Sequence, residues 1–412
     1  MKLTFLKKMD SYTVYIYTRF WSQFFFTFIF TVNLLYHVKV VGLDPLQLVL
    51  VGTVLEAVVF LFEIPTGFVA DLKSRRLSVI IGYFLIGAGF LIEGSFPYFA
   101  AVLVSQVLWG IGYTFTSGAH QAWIADEIGE DRASVAFVNG AKAGTLGEVI
   151  AIPLSMLIGY FFMINLPIII GGLSMLGLAV ILLLFMKEEN FKPVQHENTS
   201  TWKTLKNNIN EMVHYTKASY IMRILFLISL FFGLYSEGFD RLWISHFLEE
   251  THLAYMTEGN LVILIGSINF VVMLLSFIGL HFISRSSLHH QLNTIYASLL
   301  IGCVLIITSL TGFALSTGII GLLCFYLIIQ GTRSVMAPLE DTWLNKIIPD
   351  SSTRATFFSV KGQVDAIGQI GGGPAIGFIA ANFSIKIAMI VSAILLTPVI
   401  YLYQLAIKKS RE

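Results

Sequence analysis

Pro167-Ile-Ile-Ile-Gly-Gly-Leu-Ser-Met-Leu-Gly-Leu-Ala-Val-Ile-Leu-Leu-Leu-Phe-Met186 carries no charge and a single hydroxyl. A helix of about 20 such residues is as long as the roughly 30 Å hydrocarbon core of a bilayer is thick. A strand there would leave backbone groups unsatisfied in lipid, and a barrel strand would alternate in polarity. Working outward, stretches of this kind recur over 12–38, 46–70, 78–95, 98–125, 134–160, 167–186, 219–247, 259–284, 291–313, 318–345, 355–381 and 385–406. The composition agrees. Only 12% of the 412 residues are charged and 56% are hydrophobic, whereas soluble domains carry about 25% charge. So few ionic side chains could not cover a soluble particle of this size, which excludes a soluble enzyme, a nucleic-acid binder and a secreted module. The net charge of +1 points to no acidic partner. Cys303 and Cys324 both fall in apolar runs and imply no disulfide framework. Met1–Asp10 is short and basic, and the apolar run after it is too long for a signal-peptide core. The expected fold is all-α and polytopic, with twelve transmembrane helices.

Lys187 opens the one long polar segment, Lys187–Ser219, which begins Lys-Glu-Glu and contains Pro193. Its Trp202–Tyr215 stretch is expected to lie as an amphipathic helix on the inner surface. The segment divides the chain into a six-helix bundle over 1–186, a linker over 187–218 and a second bundle over 219–412. The halves resemble each other. Trp123, Arg132-Ala133, Gly140, Gly147, Pro153 and Gly159 meet Trp343, Arg354-Ala355, Gly362, Gly368, Pro374 and Gly377 at an offset of about 220 residues. Lys and Arg set the orientation. With the N-terminus inside, the inner loops hold Lys73, Arg75, Arg76, Arg132, Arg285, Lys346 and Arg354 beside the basic linker, and the outer side holds Lys39 and Lys386. Both termini are therefore expected in the cytoplasm.

No phosphate-binding Gly-x-x-x-x-Gly-Lys-Ser/Thr loop occurs, nor His-Glu-x-x-His, Cys-x-x-Cys or Gly-x-Ser-x-Gly. No cofactor or metal is expected; the driving force is an ion or solute gradient, or the solute moves passively. His289-His290 reads as a solvated loop pair, and His120 and His246 as residues at span ends.

Glu63-Ile-Pro65-Thr-Gly67-Phe-Val-Ala-Asp71-Leu-Lys73-Ser-Arg75-Arg76 follows span 2. The chain leaves the membrane through Gly67 and turns within a few residues. A carboxylate such as Asp71 can cap a neighbouring helix N-terminus, and Arg75 or Arg76 can fork onto Asp126 at the inner end of span 4. These residues predict a cytoplasmic latch that holds the two halves together on the inside and must break when the cavity opens inward. The stretch resembles the major facilitator superfamily's motif between spans 2 and 3, Gly-x-x-x-Asp-Arg-x-Gly-Arg-Arg. Gly67, Asp71, Arg75 and Arg76 match, while Leu72 and Ser74 stand where the motif has Arg and Gly. The resemblance implies two rocking halves, alternating access and a cavity among spans 1, 4, 7 and 10. Glu56, Glu63 and Glu93, with Glu63-x-Pro65 running into Asp71 and Arg75-Arg76, look like the clostridial P-class tetracycline exporters.

The spans contain many ionisable residues, and each charge at a helix centre costs roughly 2.5–3.5 kcal/mol on the lenient insertion scale. They must face water, pair, or carry a proton. Glu56 and Glu63 are seven residues apart and share a helix face. Glu93 lies near the outer end of span 3. These three, with Glu148 on span 5 and Asp365 on span 11, are the candidates for proton coupling. Lys361 and Asp365, four apart, are expected to pair. Lys142 and Glu148, six apart, must find different partners. Arg333 on span 10 is the expected fixed cation for an anionic or chelating solute. The expected cavity set is Arg19, Gln23, Tyr113, Gln121, Tyr235, Glu237, Tyr326, Gln330 and Arg333. Asp240-Arg241 is expected near an outer gate. In the superfamily a Gly-Pro signature on span 5 marks antiporters; here Gly147 and Pro153 are separated, and the closer copy, Gly372-Gly-Pro-Ala-Ile-Gly377, is on span 11.

The expected activity is proton-coupled antiport of amphipathic drugs, tetracycline first, by a monomer in the bacterial cytoplasmic membrane. Its partners are a small amphipathic solute, protons and the lipid bilayer. The rival of the same fold is a proton-coupled nutrient symporter. A polytopic lipid-modifying enzyme would instead need its polar residues clustered at one membrane surface.

Overall fold

The computed structural model of the protein describes residues 9–193, 216–217, 219–286, 291–348 and 354–411. Among them are thirteen helices of ten residues or more and no strand. They are α1 (Ser11–Tyr36), α2 (Pro45–Leu72), α3 (Arg75–Ser95), α4 (Phe99–Thr116), α5 (Ala119–Ile128), α6 (Glu130–Phe161) and α7 (Leu166–Phe185), followed by α8 (Tyr220–Glu250), α9 (Glu258–Arg285), α10 (Leu292–Leu315), α11 (Ile319–Ile347), α12 (Arg354–Asn382) and α13 (Ile385–Arg411). α4 and α5 together make one span, so the described residues supply twelve helical segments long and apolar enough to cross a membrane. The expected amphipathic stretch Trp202–Tyr215 and the pair His289-His290 lie outside the described residues.

Local chemistry fixes several helix ends. Asp10 caps α1 by accepting from the Thr13 amide at 2.7 Å, and this bonding with Thr13 holds its carboxyl below the usual range. Ser74 caps α3 through the Leu77 amide, and Ser219 caps α8 through the Met222 amide. The cap of α3 is thus Ser74 and not Asp71, which is exposed at the end of α2. Span 4 is broken because Gly118 sits at φ +72°, a left-handed conformation that glycine adopts without a Cβ clash. α1 runs on into a wide, π-type turn over His37–Val41.

The chain divides into two compact units. Unit one holds Met1–Gly42, Val54–Gln195 and Met256–Asn269; unit two holds Leu43–Thr53, His196–Tyr255 and Phe270–Glu412. In unit one, α1 packs on α6 and α7, and α3 on α4 and α7. In unit two, α8 packs on α12 and α13, and α10 on α11 and α13. The second pattern repeats the first with each span advanced by six, the structural counterpart of the internal sequence repeat.

Small residues make the seams, as membrane helices require when lipid is as apolar as leucine. A Cβ on Gly147 of α6 would stand 2.6 Å from the Phe20 carbonyl of α1. One on Gly87 of α3 would stand 2.7 Å from the Gly172 carbonyl of α7. In unit two a Cβ on Gly368 or Gly372 of α12 would run into the backbone of Leu230 or Leu234 in α8.

Candidate functional site

Each unit carries a polar cavity. The cavity of unit one, about 520 Å³, is walled by Arg19, Ser22, Gln23, Phe26 and Phe30 of α1, Tyr83 of α3, Trp109, Tyr113 and Thr116 of α4, and His120 and Gln121 of α5. Arg19 and Gln23 are four residues apart and so share a face of α1. The break at Gly118 turns His120 and Gln121 in beside them. The structure therefore brings together Arg19, Gln23, Tyr113 and Gln121, all four residues expected there from this half of the sequence. An adjoining cavity of about 320 Å³ shares Gln23, Phe26 and Phe30 and is also lined by Asn269 of α9.

Arg19 is half-buried, and its guanidinium makes no hydrogen bond or ion pair among the described residues. Beside it Gln23 Nε2 donates to Glu148 Oε1 at 2.5 Å, so Glu148 reaches the cavity wall through α1 of its own unit. Lys142 is exposed. His120, read as a residue at a span end, is buried, stacked on Trp123 and tilted against Tyr15. Phe26, Phe30, Phe90 and Trp109 form one aromatic cluster with ring centroids 5.6 to 6.4 Å apart. This wall suits planar rings.

The cavity of unit two, about 430 Å³, is lined by Ser229, Tyr235, Ser236 and Asp240 of α8, Arg333, Glu340 and Asp341 of α11, and Lys361, Asp365 and Gln369 of α12. Arg333, expected as the cation for an anionic solute, is already committed. Its two terminal nitrogens donate to the two Asp240 oxygens at 2.5 and 2.8 Å, the bidentate fork that matches a carboxylate best. The expected Lys361–Asp365 pair is corrected. Lys361 reaches to α11, 3.0 Å from Asp341 and 3.4 Å from Glu340, and Asp365 accepts from Gln369 at 2.7 Å. Two carboxylates on a neighbouring helix outcompete one on the same helix. Tyr403 of α13 donates to Glu340 at 3.0 Å.

Three expected cavity residues of this half stand apart from it. Glu237 is buried against Gly52 of α2 and accepts from Arg241 at 2.9 Å. Asp240-Arg241 thus splits between two different partners. Tyr326 stacks on Trp243 with centroids 4.2 Å apart and accepts from Gln330. Tyr235 does line the cavity, buried, with a hydroxyl that meets no partner among the described residues.

Glu56 and Glu63 are half-buried on α2 and line neither cavity. Glu93, a coupling candidate placed near the outer end of span 3, is fully enclosed. Asn33, His37 and Gln106 all reach its carboxylate, His37 Nε2 at 2.7 Å and Gln106 Nε2 at 3.3 Å. No local spacing signals His37, because its partner is 56 residues away.

Of the expected latch residues, Arg75 and Asp126 meet. Arg75 donates to Asp126 at 2.5 Å and to the Ala122 carbonyl at 2.8 Å, tying α3 to α5 within unit one. Arg76 donates to the Leu183 carbonyl. The sequence reading missed Glu188, just past α7, which accepts from Ser74 and from the Arg76 amide. Trp123 donates to the Lys187 carbonyl, and Glu127 accepts from the Glu189 and Asn190 amides. The start of the linker is thereby fixed over α3 and α5.

Residues 18–315 match the model of the family described as the Major Facilitator Superfamily. An uncharacterised MFS-type transporter, YxaM of Bacillus subtilis (strain 168), is 24% identical over 370 residues, covering 89% of this chain and 88% of its own. Among solved structures, the nucleoside transporter NupG aligns at a TM-score of 0.73 with 16% identity, covering 97% of this chain and 100% of that one. A bacterial homologue of the human lysosomal transporter Spinster aligns at 0.74 with 15% identity, covering 97% and 96%. A POT family transporter in complex with 5-aminolevulinic acid aligns at 0.70 with 16% identity, covering 97% and 96%. These structural likenesses show a shared fold.

Proposed function

This chain belongs to the Major Facilitator Superfamily, and from that membership we propose that it is a proton-coupled exporter of amphipathic, ring-bearing solutes with an acidic group, tetracycline the first to test. One observation carries this reading: an Arg19 guanidinium without an ion pair among the described residues, in a cavity walled by Phe26, Phe30, Trp109 and Tyr113. A charge-assisted hydrogen bond to Arg19 contributes about 1.5–3 kcal/mol. The rings supply the remaining affinity by burial against the aromatic wall. The protein works by alternating access, as a monomer in the bacterial cytoplasmic membrane with both ends inside. Gly67, Asp71, Arg75, Arg76 and Asp126 act as the cytoplasmic latch. The carboxylates considered for coupling are Glu56, Glu63, Glu93, Glu148 and Asp365.

A second reading is uptake of a polar nutrient. It is favoured by the lining of the unit-two cavity, where Ser229, Ser236, Lys361, Asp365 and Gln369 meet. Two of the structural neighbours are described as a nucleoside transporter and as a transporter bound to 5-aminolevulinic acid.

Inverted membrane vesicles with an imposed pH gradient decide between them. Accumulation of tetracycline or other amphipathic organic anions, collapsed by a protonophore, is the expected result. Lipophilic cations accumulating in their place would remove Arg19 from the recognition step. Accumulation of nucleosides or dipeptides in right-side-out vesicles alone would establish uptake.

A further inference from the structure

His37 stands at the start of the wide turn that ends α1, 1% exposed. Its Nε2 lies 2.7 Å from Glu93 Oε1. The carboxylate of Glu93, itself fully buried, is also within hydrogen-bond reach of the amide nitrogens of Asn33 and Gln106. Three side-chain nitrogens thus converge on one carboxylate. With Nε2–H turned to Glu93, the other ring nitrogen of His37, Nδ1, keeps its lone pair. Nδ1 is buried and meets no partner among the described residues. The titratable groups facing this pair are few. Tyr36 of the same turn donates its hydroxyl to the Glu93 carbonyl at 2.8 Å, and Lys39 follows two residues on. α4 contributes the uncharged Gln106. In the last turn of α3 the Gly94 carbonyl accepts from Asn165.

From this geometry we propose that the buried His37 imidazole, with Glu93 as its fixed counter-anion, holds the coupling proton, and that Gln106 and Trp109 connect it to the solute cavity. The proton adds to the Nδ1 lone pair. The enclosed group then passes from one net negative charge to a neutral ion pair, and release of the proton reverses this. A buried lone anion is costly and a buried neutral pair much less so, so occupancy changes which local arrangement is favoured. The connection is short. Trp109 Nε1 donates to Gln106 Oε1 at 2.9 Å, the Gln106 amide nitrogen donates to Glu93, and the Trp109 ring lines the unit-one cavity. A ring that packs against Trp109 thereby acts on the carboxylate through a single intervening side chain. The wide turn over His37–Val41, closed by Gly42 in the left-handed region, is the element that can respond.

The proposal rests on proton coupling as read above, so its first test needs no solute. Full-length protein labelled with 15N-histidine is placed in lipid, and its imidazole resonances are followed through a pH series. The resonance absent from the His37→Gln spectrum is assigned to His37. It is expected to move from the neutral to the cationic position as pH falls, and a resonance that stays neutral throughout overturns the proposal. In Glu93→Gln the same resonance is expected to stay neutral, because the counter-anion is gone. If Glu93→Gln does not elute as a folded protein, infrared pH-difference spectra of the wild type serve instead. A carboxyl band titrating together with His37 and shifted in Glu93→Asp would place the proton on Glu93 and overturn the assignment. The second test uses tetracycline in proteoliposomes. His37→Gln is expected to lose at least tenfold of gradient-driven accumulation while keeping tetracycline counterflow. Retained gradient-driven accumulation overturns the proposal. A wild type that binds the proton but moves no tetracycline leaves the His37 site standing and removes the tetracycline reading.

Discussion

At the scale of single residues, the two arginines of the cavities differ in their partners. Arg333 lies where a mid-span cation is expected, but Asp240 is bidentate on it. Arg19 lines the other cavity with no ion pair among the described residues. Arg19→Gln should therefore lower transport of acidic probes about tenfold or more, a charge-assisted hydrogen bond being worth about 1.5–3 kcal/mol, and leave thermal unfolding in detergent nearly unchanged. Asp240→Asn should do the reverse to stability. It strips Arg333 of its counter-charge and should lower the unfolding temperature, and the double variant Asp240→Asn/Arg333→Met should recover part of the loss. Pairings like these were not legible in the sequence. Arg333 and Asp240 are 93 residues apart and His37 and Glu93 are 56 apart. Such contacts depend on the rotation and depth of each helix, which hydropathy does not encode. Arg19 and Gln23 were legible because helical spacing alone puts them on one face, and the same local rule misled at Lys361, where Asp341 and Glu340 of the adjacent helix won.

At the scale of helices, the spans follow from length and apolarity, because hydrocarbon thickness sets a length that the sequence either meets or does not. The interruption of span 4 did not show, since one glycine within an unbroken span looks like any other. Its φ of +72° is the cause. Gly118→Ala should cost about 1–2 kcal/mol, read from thermal unfolding. The seams give a sharper contrast on α12. A Cβ on Gly368 collides with α8 backbone, whereas one on Gly371 meets nothing within 4 Å. Gly368→Ala should destabilise by about 1–3 kcal/mol, and Gly371→Ala should stay within about 0.5 kcal/mol of the wild type.

At the scale of the whole chain, the internal repeat was legible from Trp123 and Trp343 onward, and the packing repeats with it: α1, α3, α4, α6 and α7 pair as α8, α10, α11, α12 and α13 do. The distribution of lysine and arginine adds a topological expectation. Cysteines placed at Lys39 and Lys386 should react with a membrane-impermeant maleimide on intact cells, and one at Lys73 only after permeabilisation. The reverse pattern would invert the molecule. The seams, where α12 meets α8 and α6 meets α1 backbone to backbone, carry one more implication. Where no side chain stands between two helices, substitution can only add bulk. Diversification of this chain should therefore run along the cavity walls and the lipid-facing surface, and a saturation library would show columns 147, 368 and 372 nearly blank between richly varied ones.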